Sequence, residues 1–597
     1  MKTLLFWLSL FWCIFVNAAS GEAYMERFAT YTKWKQNLPE KPDKDFLLFI
    51  DSDTPLAKKL REKWLYQLAR QKDWSDYSAY YKQSEDVNLQ CFYHLANYYQ
   101  GKKEIAFTQA RALWLTGDSQ PTACNQLFDL MLKEDKAFNE TLITQRIILA
   151  LDKRNLALAR YLLKQYKPPH LNDEKELIAI DQNPSRIQRL TPKGLNSYFY
   201  LFGLKRMVSI NMDKAIKLWE HAKHNSLLNT AQNQTFLAHV ALYKAMRNHD
   251  DAWEWFAKIK PAYYNDLLLD WQIRLALKRQ QWQQVENLIN YFQDKEKPCW
   301  QYWLARAKDA TGHPERAKEI YQELAKSRQY YGFLASLRLN KAFSFQNERP
   351  TLNQTILKPY YPVTENVKLL YNSRQTLEAS RLLNDFVAEL PKEDKSALLS
   401  WVANDLQWHG KSLALSNTDE LSNQLSLRFP VPYHAVINNY AKSYQVPQEF
   451  IYAIIRQESG FRDDAVSSAG ARGLMQVMPT TASVVAKQAR IDYKDKAQLF
   501  TGQKNINIGV AYLKHLAKRF NDHPVLIAAA YNAGPRQVNY WLKNHPSNEM
   551  DIWIETLPWR ETRNYLKNII AFYAVYQYRM QRKPDISNFL KPIIQLN

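Results

Sequence analysis

The chain has 597 residues, too many for one ordinary core, and 46% of them are hydrophobic, enough to bury large cores. It holds only 14 Gly, against roughly 7% of residues in average proteins, and scarce Gly beside abundant Leu, Ala, Lys, Gln and Tyr argues for a mostly helical protein. The net charge of +21, from 80 basic and 59 acidic residues, suits a solvated basic surface or attraction to an anionic polymer, but no recognition-helix cluster, zinc-finger spacing or arginine-rich arm marks a nucleic-acid reader.

At the N-terminus, Lys2 precedes the apolar run Leu4 to Val16, and Val16-Asn-Ala18 offers small residues for cleavage. The run is shorter than the ~20 residues a bilayer span needs, which predicts a signal peptide over 1–18. Cys13 lacks the small preceding residues of a lipidation site. No other segment is long and apolar enough to span a membrane, so the mature chain is expected to be soluble and exported. Export points to the acidic polymers of the cell envelope as partners, not to nucleic acid.

From about residue 20 to 425 there is hardly any strand-like alternation, and apolar residues recur at helical spacing instead. Ala215 and Trp219, Ala252 and Phe256, Val285 and Ile289, and Ala317 and Tyr321 form a degenerate repeat of small and large residues four apart. Such pairs share a helix face, so one helix can approach closely while the large side chain fills the gap. This predicts stacked helix pairs, an α-solenoid of the tetratricopeptide kind. The stretch Tyr330-Tyr-Gly-Phe-Leu-Ala335 follows the last repeat. Cys91 and Cys124, 33 residues apart, are expected to form a disulfide between equivalent helices of adjacent repeats; three free thiols, with Cys299, are the alternative.

Pro350, Pro359 and Pro362 then punctuate the chain, a second helical stretch runs from about Thr364 to Leu425, and Arg428-Phe-Pro-Val-Pro432 marks the next boundary. The last segment, 429–597, carries the chemical motifs. Six of the glycines (Gly460, Gly470, Gly473, Gly502, Gly509 and Gly534) lie beyond residue 428, which places loop-built chemistry there.

Pro447 suits a first helical turn. Ile451, Ile454, Ile455 and Glu458 follow at i, i+3, i+4 and i+7, which puts Glu458 on the buried face, with Gly460 available to end the helix. A carboxyl held against an apolar face loses hydration and resists ionisation, so it can donate a proton near neutral pH. A Glu at a helix end that only caps or forms a salt bridge is the plain alternative. After it, Ser467, Ser468, Gly470 and Gly473 make a polar turn a ligand can approach. Gln476 offers a donor and an acceptor, Met478 a soft contact, while Leu474 and Met475 read as packing. Tyr531 and Asn532 precede Gly534-Pro535 at a helix end, Tyr531 being a core hydroxyl or a sugar contact. Glu555, before Pro558, could orient a loop or bind substrate, and Trp541, Trp553 and Trp559 are core residues or sugar-stacking faces.

Taken together, Glu458-Ser459, Gly473 to Pro479, Asn505 to Leu513, Ala529 to Pro535 and Glu561 to Tyr565 resemble, in order and spacing, the motif series of lytic transglycosylases with a lysozyme-like domain. The long helical part and Tyr330 to Ala335 resemble that family's large soluble periplasmic members. The resemblance implies an all-α fold: an N-terminal α-superhelix over 19–348, a helical linker domain over 349–428 and a lysozyme-like catalytic domain over 429–597. It implies Glu458 as the catalytic acid and base, glycan contacts at Ser467, Gln476, Met478 and Tyr531, and a second acidic site residue at Glu555; Asn532, next to Tyr531, is expected to bind substrate with them. Arg472 stands where family members often carry Ser or Tyr. The substrate implied is the glycan strand of peptidoglycan, cleaved between N-acetylmuramic acid and N-acetylglucosamine with no metal or organic cofactor. A goose-type lysozyme, with Asp463 or Asp464 activating water, and an exported binding scaffold with a dead enzyme domain are the competing readings.

Overall fold

The computed structural model describes residues 20–134, 140–191, 193–224, 226–350 and 354–593. The expected signal peptide, with Cys13, lies outside these residues. Among them, regular structure consists of α-helices and short 3-10 turns. Two isolated antiparallel bridges, Val466 to Arg472 and Arg472 to Val477, are the exceptions. The protein is all-α, and no described helix is long and apolar enough to cross a membrane.

The chain divides into two compact units. The first holds the described residues of Met1–Trp64 and Asn347–Pro432, with Gly460–Arg462. Its helix Gly21–Gln36 lies on the turn before helix Tyr361–Asn372. Gly21 is needed there, because a Cβ would come within 2.7 Å of the Tyr360 Cα. Tyr24 packs on Phe386 with ring centroids 4.7 Å apart, and Arg27 pairs with Glu389.

The second unit holds the described residues of Leu65–Gln346, Tyr433–Ser459 and Asp463–Asn597. Within it the repeat is visible as helix pairs: Asn196–Ile210 with Met212–His224, Thr230–Met246 with Ala252–Ala257, Asp266–Lys278 with Trp282–Ile289, and Pro298–Ala310 with Pro314–Leu324. The small-and-large pairs read from the sequence fall on the second helix of each pair, and all eight residues are buried. Burying each large side chain contributes about 1.5–3 kcal/mol. The chain reverses inside three pairs through left-handed residues, Asn248, Gln280 and Gly312. Asn and Gly tolerate that backbone best.

Cys91, on helix Val87–Tyr99, is bonded to Cys124, and Cys299 is free. The pairing matches the expectation but its setting differs. Cys124 ends a 3-10 turn, Thr122–Cys124, and does not sit on an equivalent repeat helix.

The C-terminal part of this unit is built around helix Gln448–Glu458, which lies along helix Arg560–Arg579. Tyr452 and Tyr576 stack between them at 5.2 Å. Helices Pro479–Ala489, Pro524–Ala533 and Pro535–Asn544 each begin with proline, whose missing N–H is not needed in a first turn.

Candidate active site

Helix Gln448–Glu458 places Ile451, Ile454 and Ile455 in the core, as the i, i+3, i+4 pattern requires. Pro447 is its N-cap and Glu458 its last residue. Glu458 is half-buried, and its Oε1 accepts a hydrogen bond of 2.7 Å from the Tyr565 hydroxyl. Burial pushes the Glu458 carboxyl up to about 7; the Tyr565 hydrogen bond opposes this, and the nearby negative charge of Glu561 adds to it. At neutral pH the group is divided between acid and carboxylate, as a residue that must both give and take a proton requires.

The polar loop that follows is tied to the helices behind it. Asn505 is fully buried, and its Nδ2 donates to the carbonyls of Arg472 (2.9 Å) and Leu499 (2.8 Å) while its Oδ1 accepts from the Met475 N–H (2.8 Å). Gly473 has φ +72°, and a Cβ there would lie 2.1 Å from the Leu499 oxygen. Gly509 makes room for Met475, whose sulfur would sit 2.3 Å from an added Cβ. Leu474 and Met475 are fully buried, which bears out their reading as packing.

Three expected contact residues lie on this loop. Ser467 is half-exposed, and its Oγ accepts from the Ala471 N–H at 3.0 Å. Gln476, at φ +47°, donates its amide to the carbonyls of Ala465 (3.1 Å) and Gly473 (2.8 Å), so these bonds leave its oxygen unused. Met478 is 36% exposed at the N-cap of helix Pro479–Ala489.

Tyr531 connects the loop to the acid. Its hydroxyl donates to the Met475 carbonyl at 2.8 Å, and the Glu458 charge adds to the burial that pushes its phenol upward. Asn532 accepts from the Thr562 hydroxyl at 2.7 Å and so joins the end of helix Pro524–Ala533 to the start of helix Arg560–Arg579. Arg472 sets its guanidinium 5.1 Å from the Phe500 ring centre, so part of its cation faces an aromatic.

Glu555 departs from the sequence reading. It is 1% exposed, with Oε1 taken by Arg274 (3.1 Å) and Oε2 by Lys567 (2.7 Å) and the Tyr331 hydroxyl (2.6 Å). Burial acts against its ionisation, but Lys567 and Arg274 outweigh it and hold the carboxyl well below its ordinary range. In this structure Glu555 has no free carboxylate oxygen for a substrate. Trp541 and Trp553 are fully buried core residues, whereas Trp559 is 48% exposed. Tyr565 was missed as a single residue in the sequence, although it ends the Glu561 to Tyr565 motif.

The profile described as "Transglycosylase SLT domain" matches residues 435–554. The chain is 28% identical over 544 residues to the soluble lytic murein transglycosylase of Escherichia coli K12, covering 89% of this chain and 84% of that one. Among solved structures it resembles the lytic transglycosylase Slt of Pseudomonas aeruginosa, solved as an inactive Glu-to-Gln mutant: TM-score 0.81, 28% identity, 96% of this chain and 94% of that one. It also resembles the 70 kDa soluble lytic transglycosylase of Escherichia coli, with TM-score 0.74, 26% identity and the same coverage. A long chain of helix pairs, an acid at the end of an apolar helix and the matched transglycosylase domain are together the features of a lytic murein transglycosylase, and the chain is similar to the soluble ones along nearly its full length.

Proposed function

We propose that this lytic transglycosylase cleaves the β-1,4 bond between N-acetylmuramic acid and N-acetylglucosamine in peptidoglycan and leaves 1,6-anhydro-muramic ends. The observation that carries this reading is the half-buried Glu458 carboxyl, poised near 7 and hydrogen-bonded to Tyr565. Ordinary glycosidases use two carboxylates. Glu555, the second acid expected at the site, is ion-paired and enclosed, so a mechanism with one carboxyl fits best.

Glu458 in its acid form protonates the glycosidic oxygen as the C1–O bond breaks. The substrate's 2-acetamido group stabilises the charge that develops at C1. The Glu458 carboxylate then accepts the proton of the muramic C6 hydroxyl, whose oxygen bonds to C1. Attack from within the same sugar has a high effective concentration and consumes no water. Ser467, the Gln476 oxygen, Met478, Tyr531 and Asn532 are the residues we assign to glycan contact.

Residues 19–348, 349–428 and 429–597 are proposed as superhelical, linker and catalytic regions, and 1–18 as a signal peptide for the periplasm. The Cys91–Cys124 bond suits such an oxidising compartment. The net charge of +21 suits an anionic envelope polymer. Glu458→Gln tests the reading: with circular dichroism unchanged, clearing of purified sacculi should fall by at least the ~10²–10⁴-fold that general acid–base catalysis supplies. Near-normal clearing would overturn it.

A further inference from the structure

Helix Asp266–Lys278 belongs to the repeats, yet one face of it grips the end of helix Met550–Thr556, just before helix Arg560–Arg579. Arg274 donates from Nε to the backbone carbonyl of Glu555 (2.9 Å) and from Nη2 to its carboxylate (3.1 Å), and its Nη1 pairs with Asp270 (2.9 Å). Trp271, one turn away and buried, lies under two guanidiniums: Arg274 at 5.5 Å and Arg563 at 5.7 Å. Arg563 in turn donates to the carbonyls of Leu557 (2.5 Å) and Pro558 (3.2 Å). From the helix that follows the last repeat, Tyr330–Arg338, the Tyr331 hydroxyl reaches Glu555 Oε2 at 2.6 Å. That helix starts close on the preceding turn, where a Cβ on Gly332 would lie 2.1 Å from the Ser327 oxygen. Lys567 closes the cluster on Glu555 from the catalytic side, two residues beyond Tyr565 on the same helix.

We infer that Arg274 and Tyr331, more than 120 residues before Glu458 in sequence, are positioning residues for catalysis. Through Glu555 and Lys567 they hold helix Arg560–Arg579 in the place that puts the Tyr565 hydroxyl on Glu458. The inference rests on the reading of Glu458 as the acid. Partial covering of a buried cluster is costly, since removing one partner leaves an uncompensated charge, so the cluster resists small displacements of the helix. A shift there moves Tyr565, and a misplacement far from the chemistry can slow it strongly.

The expected signature is specific. Among the described residues, Tyr565 and Glu561 on helix Arg560–Arg579 act on Glu458, and Tyr531 on helix Pro524–Ala533 feels its charge. Tyr565 lowers the Glu458 pKa and Glu561 raises it, the Tyr565 effect being the larger. A displaced helix loses more of the first effect than of the second, so the alkaline limb of the rate profile moves to higher pH.

Full-length Tyr331→Phe, Arg274→Lys, Arg274→Met, Tyr565→Phe and Glu458→Gln would be compared. The substrate is a soluble oligomer of alternating N-acetylglucosamine and N-acetylmuramic acid, assayed for kcat and KM against pH. Tyr331→Phe and Arg274→Met should lower kcat by about 3–30-fold with KM changed less than about threefold. Their alkaline limb should move upward as in Tyr565→Phe, and Arg274→Lys should recover part of the loss. Should Arg274→Met fail to fold, Tyr331→Phe, which removes one oxygen, decides the matter. Unchanged kcat, or a loss with no movement of the limb, overturns the inference. Substantial activity in Glu458→Gln instead overturns the reading beneath it.

Discussion

The Tyr565 hydroxyl donates to Glu458 Oε1 across 2.7 Å, from a helix that begins 102 residues after Glu458 ends its own. The bond favours the carboxylate, while burial favours the acid. Their balance leaves Glu458 near 7, where one residue can serve in both protonation states.

Removing that bond separates the two effects. Tyr565→Phe should raise the Glu458 pKa by about 1–2, because hydrogen bonds to charged groups contribute about 1.5–3 kcal/mol. The alkaline limb of kcat/KM should move up accordingly, with kcat lower by about 10–100-fold. A profile identical to wild type would show that the bond does not tune Glu458.

The same balance predicts a pH-dependent stability. The folded carboxyl titrates near 7 and an unfolded one near 4.5. Between these values the folded state holds a proton that the unfolded chain has released, so stability falls as pH rises through that window. Allowing for the water that still reaches Glu458, the loss is about 1–3 kcal/mol. Glu458→Gln should therefore be more stable than wild type at pH 8 and nearly equal at pH 4.5. Denaturant unfolding at both pH values checks this.

How far this was legible in the sequence depends on the range of the interaction. The apolar stripe ending at Glu458 and the small-and-large pairs at Ala215, Ala252, Val285 and Ala317 are local patterns, and helix geometry converts them directly into buried faces. The polar loop was legible as a turn but its support was not, since Asn505 reads as one more polar residue until its three bonds are seen. Glu555 was read as orienting a loop or binding substrate, and its neighbours in sequence could not separate the two. Only the fold brings Arg274 and Tyr331, more than 220 residues away, to its carboxylate.

Gly473 offers a test of the loop. Alanine there would have to adopt φ +72° and enter the space of the Leu499 oxygen. The left-handed backbone alone costs about 1–2 kcal/mol, and the clash adds to it. Gly473→Ala should cut activity more than tenfold while most of the helical signal remains. Unaltered activity would mean the loop does not shape the site.

The catalytic region is expected to depend on the repeats. A fragment beginning near Arg428 lacks Arg274, Tyr331, Tyr302 and Arg306, and so loses partners of both Glu555 and Asp551. It also exposes the face of Tyr578 that stacks on Phe345 at 4.3 Å. Turnover of short soluble glycans should drop at least tenfold relative to the whole chain, and thermal unfolding should come earlier. Full turnover by the fragment would show that the repeats only guide strands.

Reduction of Cys91–Cys124 should act far from Glu458. Closing a loop of 33 residues is worth about 3–4 kcal/mol in the chain-entropy model. Reduction should lower the melting temperature and leave activity at moderate temperature in place. Thiol counting on the unreduced protein lacking residues 1–18 should find one free thiol, Cys299, and a count of three would refute the pairing.

The central claim is that one carboxyl, Glu458, directs attack by the sugar's own C6 hydroxyl. Purified sacculi digested with the full-length protein, followed by mass analysis of the released muropeptides, tests it most directly. Products ending in 1,6-anhydro-muramic acid, each lighter by one water than a hydrolysis product, and absent with Glu458→Gln, are the predicted result. Reducing muramic ends carrying oxygen from labelled water would contradict it and identify a hydrolase.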